Sequence, residues 1–183
     1  MISYKDKERI IILTEDITES NSGDLISHII EINELDDKKE KKRKNYKRKP
    51  IKLYVNSYGG DIYVMWSIID TIQNSKTPVH TYCTGYAMSA AFKIFLAGHK
   101  RFASKHATFM YHQLSSWNFG KLKEIKEWTK ELSRLQEMIE IYVSSTTKLS
   151  KDDLEKIRKN KEDYYIPANK ALKLGIIDKI LEN

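Results

Sequence analysis

The chain has 183 residues, of which 40% are apolar and 31% are charged, a composition typical of one soluble globular domain. Its single cysteine, Cys83, excludes an internal disulfide, and no apolar run reaches the ~18 residues of a membrane span. The N-terminal stretch lacks the long apolar segment of a signal peptide, so we predict a cytoplasmic protein.

The excess of positive charge is concentrated in one segment. Residues 38–49 contain nine basic residues and one acidic residue, a surplus that exceeds the net charge of +7 of the whole chain. One interpretation is a patch that binds nucleic acid or another anionic surface. The other is a solvated, mobile loop between a helix and a strand. We favour the loop, and do not expect a nucleic-acid partner, because no aromatic platforms flank the run.

Apolar and polar residues alternate along the chain in a pattern that predicts strands and helices in turn. The predicted elements are, in chain order, a strand at 9–14, a helix that starts near 21–24 and ends at the basic segment, a strand at 51–56, a helix from Asp61, a strand at 79–84, a turn of small residues and a helix after Ser89, short strands at 101–104 and 107–111, a long helix at 121–147, a short helix after Ser150, a helix at 167–175 and a strand at 176–181. This order predicts an α/β fold with a largely parallel sheet.

The helix predicted at 121–147 is long for a domain of this size. Its apolar residues recur every three or four positions, and its other faces are charged. A helix of about 27 residues spans ~40 Å. It therefore either packs in part against another subunit or lies across its own sheet.

Small and reactive residues follow the predicted ends of three strands. In parallel sheets, functional groups gather at the carboxyl ends of the strands, which is where Gly59–Gly60, Ser89 and His112 fall. The two glycines form either a site for an oxyanion or an ordinary tight turn. Ser89 is either a nucleophile at a helix N-terminus or the N-cap residue of that helix.

Acyl transfer needs a nucleophile, a base that takes its proton and a carboxylate that orients the base. Ser89, His112 and Asp163 supply these groups in that order along the chain. Spacing alone does not select His112 among the five histidines. The others are His28, His80, His99 and His106.

Four stretches, in order and at compatible spacings, resemble the proteolytic subunit of the Clp protease, a family of serine peptidases. They are Ile-Lys-Leu-Tyr-Val-Asn-Ser-Tyr-Gly-Gly at 51–60, Gly-Tyr-Ala-Met-Ser-Ala-Ala at 85–91, Phe-Met-Tyr-His-Gln at 109–113 and Asp-Tyr-Tyr-Ile-Pro-Ala at 163–168. The similarity covers roughly residues 8–182. It implies the ClpP/crotonase-like α/β fold, with 121–147 as the "handle" helix through which two rings stack.

The resemblance also implies roles for individual residues. Ser89 would be the nucleophile, His112 the general base and acid, and Asp163 the residue that orients the imidazole. The backbone amides of Gly60 and Ala90 would form the oxyanion hole. The implied substrate-binding residues are Gly59, Gln113 and Leu114. No metal or organic cofactor is implied.

The same resemblance implies partners. The substrate would be a peptide or an unfolded protein, inside a homo-oligomer of heptameric rings stacked in pairs. An AAA+ unfoldase would deliver folded substrates. The family docks that ATPase through a longer N-terminal segment than the roughly eight residues that precede Arg9 here, so we expect this docking to be altered.

The chain departs from the family pattern at several positions. Tyr58 stands where the family usually has proline, Ala90-Ala91 where it has Met-Gly, and Leu114 where it has proline. Residues 115–118 replace a glycine-rich strand that lines the substrate groove and links the rings, and the basic run at 38–49 is longer than the family's connection.

Three hypotheses follow. We predict a serine endopeptidase that acts through an acyl-enzyme. The alternative is a catalytically silent ring or scaffold subunit, which the substitutions around Ser89 and His112 favour. A third hypothesis is a thioester enzyme on the related crotonase-like fold, against which the Ser–His–Asp set argues.

Overall fold

The computed structural model of the chain describes residues 2–5 and 9–182. Its elements are, in chain order, β1 (Ile2–Lys5), β2 (Ile10–Leu13), α1 (Glu19–Lys42), β3 (Ile51–Val55), α2 (Ile62–Gln73), β4 (Val79–Cys83), β5 (Tyr86–Met88), α3 (Ser89–Leu96), β6 (Lys100–Ser104), β7 (Thr108–Tyr111), α4 (Leu122–Thr146), α5 (Lys151–Asn160), β8 (Tyr164–Pro167), α6 (Ala168–Lys173) and β9 (Lys179–Leu181). None of the helices within this described part is both long and apolar enough to cross a membrane.

The strands form two sheets. The larger has the order β1-β2-β3-β4-β6-β9, and all of its pairs are parallel except β1 with β2. The smaller has the order β5-β7-β8, in which β5 is parallel and β8 antiparallel to β7. The predicted α/β fold with a largely parallel sheet is confirmed.

Helix α3 joins the two sheets. It contacts β4 of the larger sheet and both β5 and β7 of the smaller one. Its rings Phe92 and Phe95 are fully buried, and the Phe95 ring lies 4.9 Å from that of Phe109 in β7. Fully burying such a side chain contributes about 1.5–3 kcal/mol. This packing fixes the start of α3, and with it Ser89, relative to β7.

The structure corrects several predictions from the sequence: it adds β1 and β8, and the last strand, predicted at 176–181, is limited to Lys179–Leu181. Helix α1 continues to Lys42, so the first residues of the basic segment are helical rather than a loop. Residues 86–88, which were predicted as part of a turn, instead form β5 and pair with β7. The long helix is present as α4, one residue shorter at each end than predicted.

Acidic residues explain why α1 continues into the basic segment. Arg48 lies near the far end of that segment. Its Nε donates a hydrogen bond to Oε1 of Glu40 at 2.8 Å, and its guanidinium also forms an ion pair with Asp37. Three lysines in the last turn of α1 are favourable there, because the C-terminal end of a helix carries partial negative charge. The segment therefore folds back on its own helix instead of extending into solvent.

A second cluster fixes α1 to the start of β2. Asp36 is fully buried and accepts hydrogen bonds from Arg9 at 2.7 Å, from the Tyr46 hydroxyl at 2.7 Å and from the Thr77 hydroxyl at 2.9 Å. Burial raises the pKa of Asp36, but the bonds from these three donors hold it at about 2, below its ordinary value of 3.8. The ionised carboxylate therefore stabilises the fold.

Replacing Asp36 with asparagine is expected to lower the free energy of unfolding at pH 7 by about 3 kcal/mol, because it leaves Arg9 without its counter-charge. Since the pKa of Asp36 is lowered on folding, its contribution is present above pH 4 and is lost as pH falls from about 4 to about 2. Urea unfolding at several pH values measures both effects. Asp37→Asn, which alters an exposed ion pair, is the control, with an expected loss below about 1 kcal/mol. Equal losses in the two variants would contradict the assignment.

Candidate active site

Ser89 lies at a sharp turn between β5 and α3. Its backbone has a φ of +50°, a left-handed conformation that residues other than glycine rarely adopt. Such strain is typical of functional turns, where it exposes a nucleophile. Met88 occupies the N-cap position of α3, so the alternative of Ser89 as a helix cap is wrong.

The two glycines predicted near the site are required by close packing. A Cβ atom on Gly59 would lie 2.8 Å from Cβ of Ser89 and 2.9 Å from the amide nitrogen of Ala90. A Cβ atom on Gly60, where φ is +148°, would lie 2.2 Å from the carbonyl oxygen of Ile17. The amide of Ile17 donates a hydrogen bond to the carbonyl oxygen of Gly59, and the amide of Asp61 donates one to the carbonyl oxygen of Ile17. These two hydrogen bonds hold the turn in place. Glycine therefore allows the backbone to approach Ser89 closely.

His112 follows β7 directly and reaches Ser89. Its Nε2 lies 2.7 Å from Oγ of Ser89, a normal hydrogen-bond distance. Parallel pairing of Met88 with Met110 brings the ends of β5 and β7 to the same edge. Burial and the nearby charge of Lys93 lower the pKa of His112, while Asp163 raises it. The imidazole is therefore neutral near pH 7 and able to accept a proton.

Asp163 precedes β8 and lies on the other side of the imidazole. Antiparallel pairing of Tyr111 with Tyr164 places it beside His112. Its Oδ1 is 3.8 Å from Nδ1 of His112, an ion-pair distance but too long for a hydrogen bond, and its side chain is 58% exposed. The structure thus brings all three predicted residues together, with the contact between serine and histidine formed and that between histidine and aspartate loose.

Comparison with known proteins identifies the family. The family model described as Clp protease matches residues 1–183, the entire chain. The chain belongs to the Clp protease family. Its membership confirms the resemblance drawn from the four sequence stretches.

Two relatives of this family member are named as proteolytic subunits. The chain is 31% identical over 181 residues to "ATP-dependent Clp protease proteolytic subunit 1" of Bifidobacterium longum. The aligned region covers 97% of this chain and 72% of that relative. It is 36% identical over 137 residues to "ATP-dependent Clp protease proteolytic subunit" of Porphyromonas gingivalis. Here the aligned region covers 73% of this chain and 60% of the relative.

In this Clp protease family member, a cavity of about 70 Å³ opens beside Ser89. Its lining includes Gly60, Ser89, Ala90, Lys93, His112 and Ser115. The remaining wall is mostly apolar and includes the side chains of Ile62, Met65, Leu114 and Ile139. The amides of Gly60 and of Ala90, which lies in the first turn of α3, are thus next to Ser89, as an oxyanion hole requires.

The three predicted substrate-binding residues occupy different places. Leu114 lines the cavity, and its amide donates to Oε1 of Gln136 at 2.8 Å. Gln113 lines a neighbouring groove of about 710 Å³ beside α4 and α5. Gly59 packs beneath Ser89 and Ala90. Of the three, Leu114 has the position best suited to contact a substrate side chain.

Lys93 is a site residue that sequence reasoning missed. It lies in the apolar run of α3, which was predicted only as a buried helix, and it lines the cavity beside Ser89. The available signal was one charged residue within an otherwise apolar helix. Four residues separate it from Ser89, a spacing that places both on one face of a helix.

Proposed function

We propose that the chain is a serine endopeptidase that hydrolyses peptide bonds through an acyl-enzyme on Ser89. The observation that carries the proposal is the 2.7 Å contact between Oγ of Ser89 and Nε2 of His112 at a strained turn. Membership of the Clp protease family supports it. A neutral imidazole at this distance is the arrangement that activates a serine.

The mechanism assigns one step to each group. Oγ of Ser89 attacks the peptide carbonyl carbon while its proton passes to Nε2 of His112, and the amides of Gly60 and Ala90 stabilise the oxyanion. The C–N bond then breaks and His112 protonates the leaving amine. Water attacks the resulting ester with His112 again as the base, which releases the acid and restores Ser89. Asp163 orients the imidazole through Nδ1.

Exposed apolar residues support assembly into rings that stack in pairs. Trp117, Phe119 and Leu122, in the loop before α4 and at its first residue, are 85%, 79% and 70% exposed. Ile125 continues this surface along α4. Contiguous exposed apolar patches usually mark an interface. We propose that this patch joins two heptameric rings, with peptides or unfolded proteins as substrates in the enclosed space.

An AAA+ unfoldase and a cytoplasmic location are part of the same proposal. The family uses residues before the first predicted strand to dock its ATPase. Of those preceding Arg9, residues 1 and 6–8 lie outside the described residues, so the expected change in docking stays a prediction. Peptide hydrolysis itself needs no ATPase, which makes the chemistry testable on the isolated assembly.

A silent ring subunit is the second candidate function. The observation in its favour is the 3.8 Å separation between His112 and the largely exposed Asp163. Catalytic hydrogen bonds are often long in structures without substrate and shorten in the complex. This geometry therefore fits a resting enzyme as well as a relic.

Labelling with a fluorophosphonate separates the two candidates. Intact mass measures labelling of the wild type, Ser89→Ala and His112→Ala, and light scattering measures the assembly of each. The endopeptidase proposal predicts a label on the wild type alone, carried by a large oligomer. A well-assembled oligomer without label would support the silent subunit instead.

The pH dependence tests the role assigned to His112. We expect kcat/KM to rise with pH and reach a plateau through an apparent pKa below 6.5, because burial and Lys93 lower the pKa of the imidazole, which must be neutral to accept the proton. Asp163→Asn removes a charge that raises this pKa, so the acidic limb should move to lower pH. Initial rates with a fluorogenic peptide between pH 5 and pH 9 measure both profiles. A limb above pH 6.5, or one unmoved in Asp163→Asn, would contradict this role.

A further inference from the structure

Lys93 is a buried lysine within the candidate active site. Its side chain is 3% exposed, and it lines the same cavity as Ser89, Ala90 and His112. Position 93 follows Ser89 by one helical turn, so the backbone of α3 fixes the two residues relative to each other. The catalytic steps derived above do not use it.

The ammonium group of Lys93 has no anionic partner. Among residues 9–182, whose side chains are described, its Nζ forms no hydrogen bond or ion pair, and the face of the Tyr111 ring lies 5.1 Å away. Burial accordingly lowers the pKa of Lys93 to about 7. With this pKa the amine is only partly protonated near pH 7, and burying it is still costly, whereas a methionine or leucine would fill the same space without that cost. The position therefore favours a function for the charge.

The position of the cavity defines which part of a substrate enters it. The carbonyl carbon under attack lies within reach of Ser89, with its oxygen on the amides of Gly60 and Ala90. The side chain on the acyl side of that carbonyl, the P1 side chain, then falls into the cavity that these residues line. A volume of about 70 Å³ is roughly twice the ~30 Å³ share of one water in the liquid, which suits a short side chain better than an aromatic ring.

We propose that Lys93 makes the site selective for an acidic P1 residue, aspartate above all, by pairing its ammonium group with the substrate carboxylate. The proposal rests on the proposed endopeptidase function and adds its substrate class. The short carboxylate side chain matches the cavity in size, and its charge supplies the partner that Lys93 lacks. The apolar residues Ile62 and Met65 exclude water around the pair, which strengthens it.

A role for Lys93 as the general base fits the contacts less well. Nε2 of His112 already lies 2.7 Å from Oγ of Ser89, and Lys93 forms no hydrogen bond to that oxygen. Burial disfavours the imidazolium form of His112 and a protonated Lys93 adds repulsion, and both lower the pKa of the histidine. A substrate carboxylate beside Lys93 would offset that repulsion when the proton reaches His112.

The test uses the full assembled chain and peptide coumarin amides that differ only at P1, with aspartate, asparagine or leucine. Aspartate and asparagine match in shape, so their ratio of kcat/KM isolates the charge. We expect the wild type to prefer aspartate over asparagine about 10- to 100-fold. Lys93→Met should abolish or invert this preference. Lys93→Arg, which keeps the charge, should retain a preference for aspartate.

Fluorophosphonate labelling of Ser89 in the same samples separates the possible failures. A labelled wild type with equal rates after aspartate and asparagine would overturn the role of Lys93 and leave the endopeptidase proposal intact. An unlabelled and inactive wild type would overturn both. If Lys93→Met does not assemble, the ratio in the wild type decides the case alone.

Discussion

Replacing Ser89 with alanine is expected to lower kcat for peptide hydrolysis about 10⁶-fold, and His112→Ala should cost about as much, because the two residues act as one unit. The physical reason is the 2.7 Å contact between them, through which the attacking oxygen loses its proton. Initial rates with a fluorogenic peptide, on assemblies matched by light scattering, measure the loss. The double variant should be no worse than either single one.

Two exposed residues of the same types are the matched controls. Ser67 lies on the exposed side of α2, and His106 lies in the turn before β7. Ser67→Ala and His106→Ala should both keep the rate of the wild type. Residual activity in Ser89→Ala within tenfold of the wild type would place the nucleophile elsewhere. A large loss in either control would point to assembly rather than chemistry.

Replacing Gly60 with alanine is expected to lower kcat/KM by about 10²- to 10³-fold, the cost of losing one oxyanion donor. The added Cβ would lie 2.2 Å from the carbonyl oxygen of Ile17, and φ at this position is +148°. The turn must therefore shift, which moves the amide of Gly60 away from Ser89. Because backbone cannot yield as a flexible side chain does, stability should fall as well.

Gly23→Ala is the control for this variant. Gly23 lies within α1, and nothing lies within 4 Å of the position its Cβ would take. Alanine should there stabilise the helix by about 1 kcal/mol and leave activity unchanged. Thermal unfolding and kcat/KM are measured for both variants. Wild-type kcat/KM in a folded Gly60→Ala would contradict an oxyanion role for this amide.

The main elements of the fold were predictable because each has a local signal. Alternating burial marks β3, and the carboxylate of Asp61 caps α2 by accepting from the amides of Tyr63 and Val64. The order of strands and helices then predicted the α/β class correctly. The four stretches that resemble the family were enough to identify it, and the comparison over the whole chain confirms this.

Long-range pairing explains what the sequence did not reveal. The helical part of the basic segment depends on Arg48 reaching back to Glu40, and β5 depends on pairing with β7. The first contact joins residues eight positions apart and the second joins two separate strands, so neither follows from the pattern within one element. At the site, the resemblance to the family selected Ser89, His112 and Asp163, because spacing alone did not single out His112, and no local pattern could show the loose contact of Asp163.

The buried Lys93 illustrates the same limit. Within the sequence it is one charge among many, since 31% of residues are charged. Only packing shows that α3 directs this position toward the cavity beside Ser89 while its solvent exposure falls to 3%. A side chain acquires such a role from neighbours that are distant along the chain.

The most direct test of hydrolysis through Ser89 is detection of the acyl-enzyme. An activated ester of a short peptide is mixed with the assembled protein, the reaction is stopped with acid within its first turnover, and the intact mass is measured with the modified residue mapped by fragmentation. We expect one added acyl group on Ser89, absent in Ser89→Ala. Turnover of the ester with no adduct, or an adduct on a different residue, would contradict this expectation.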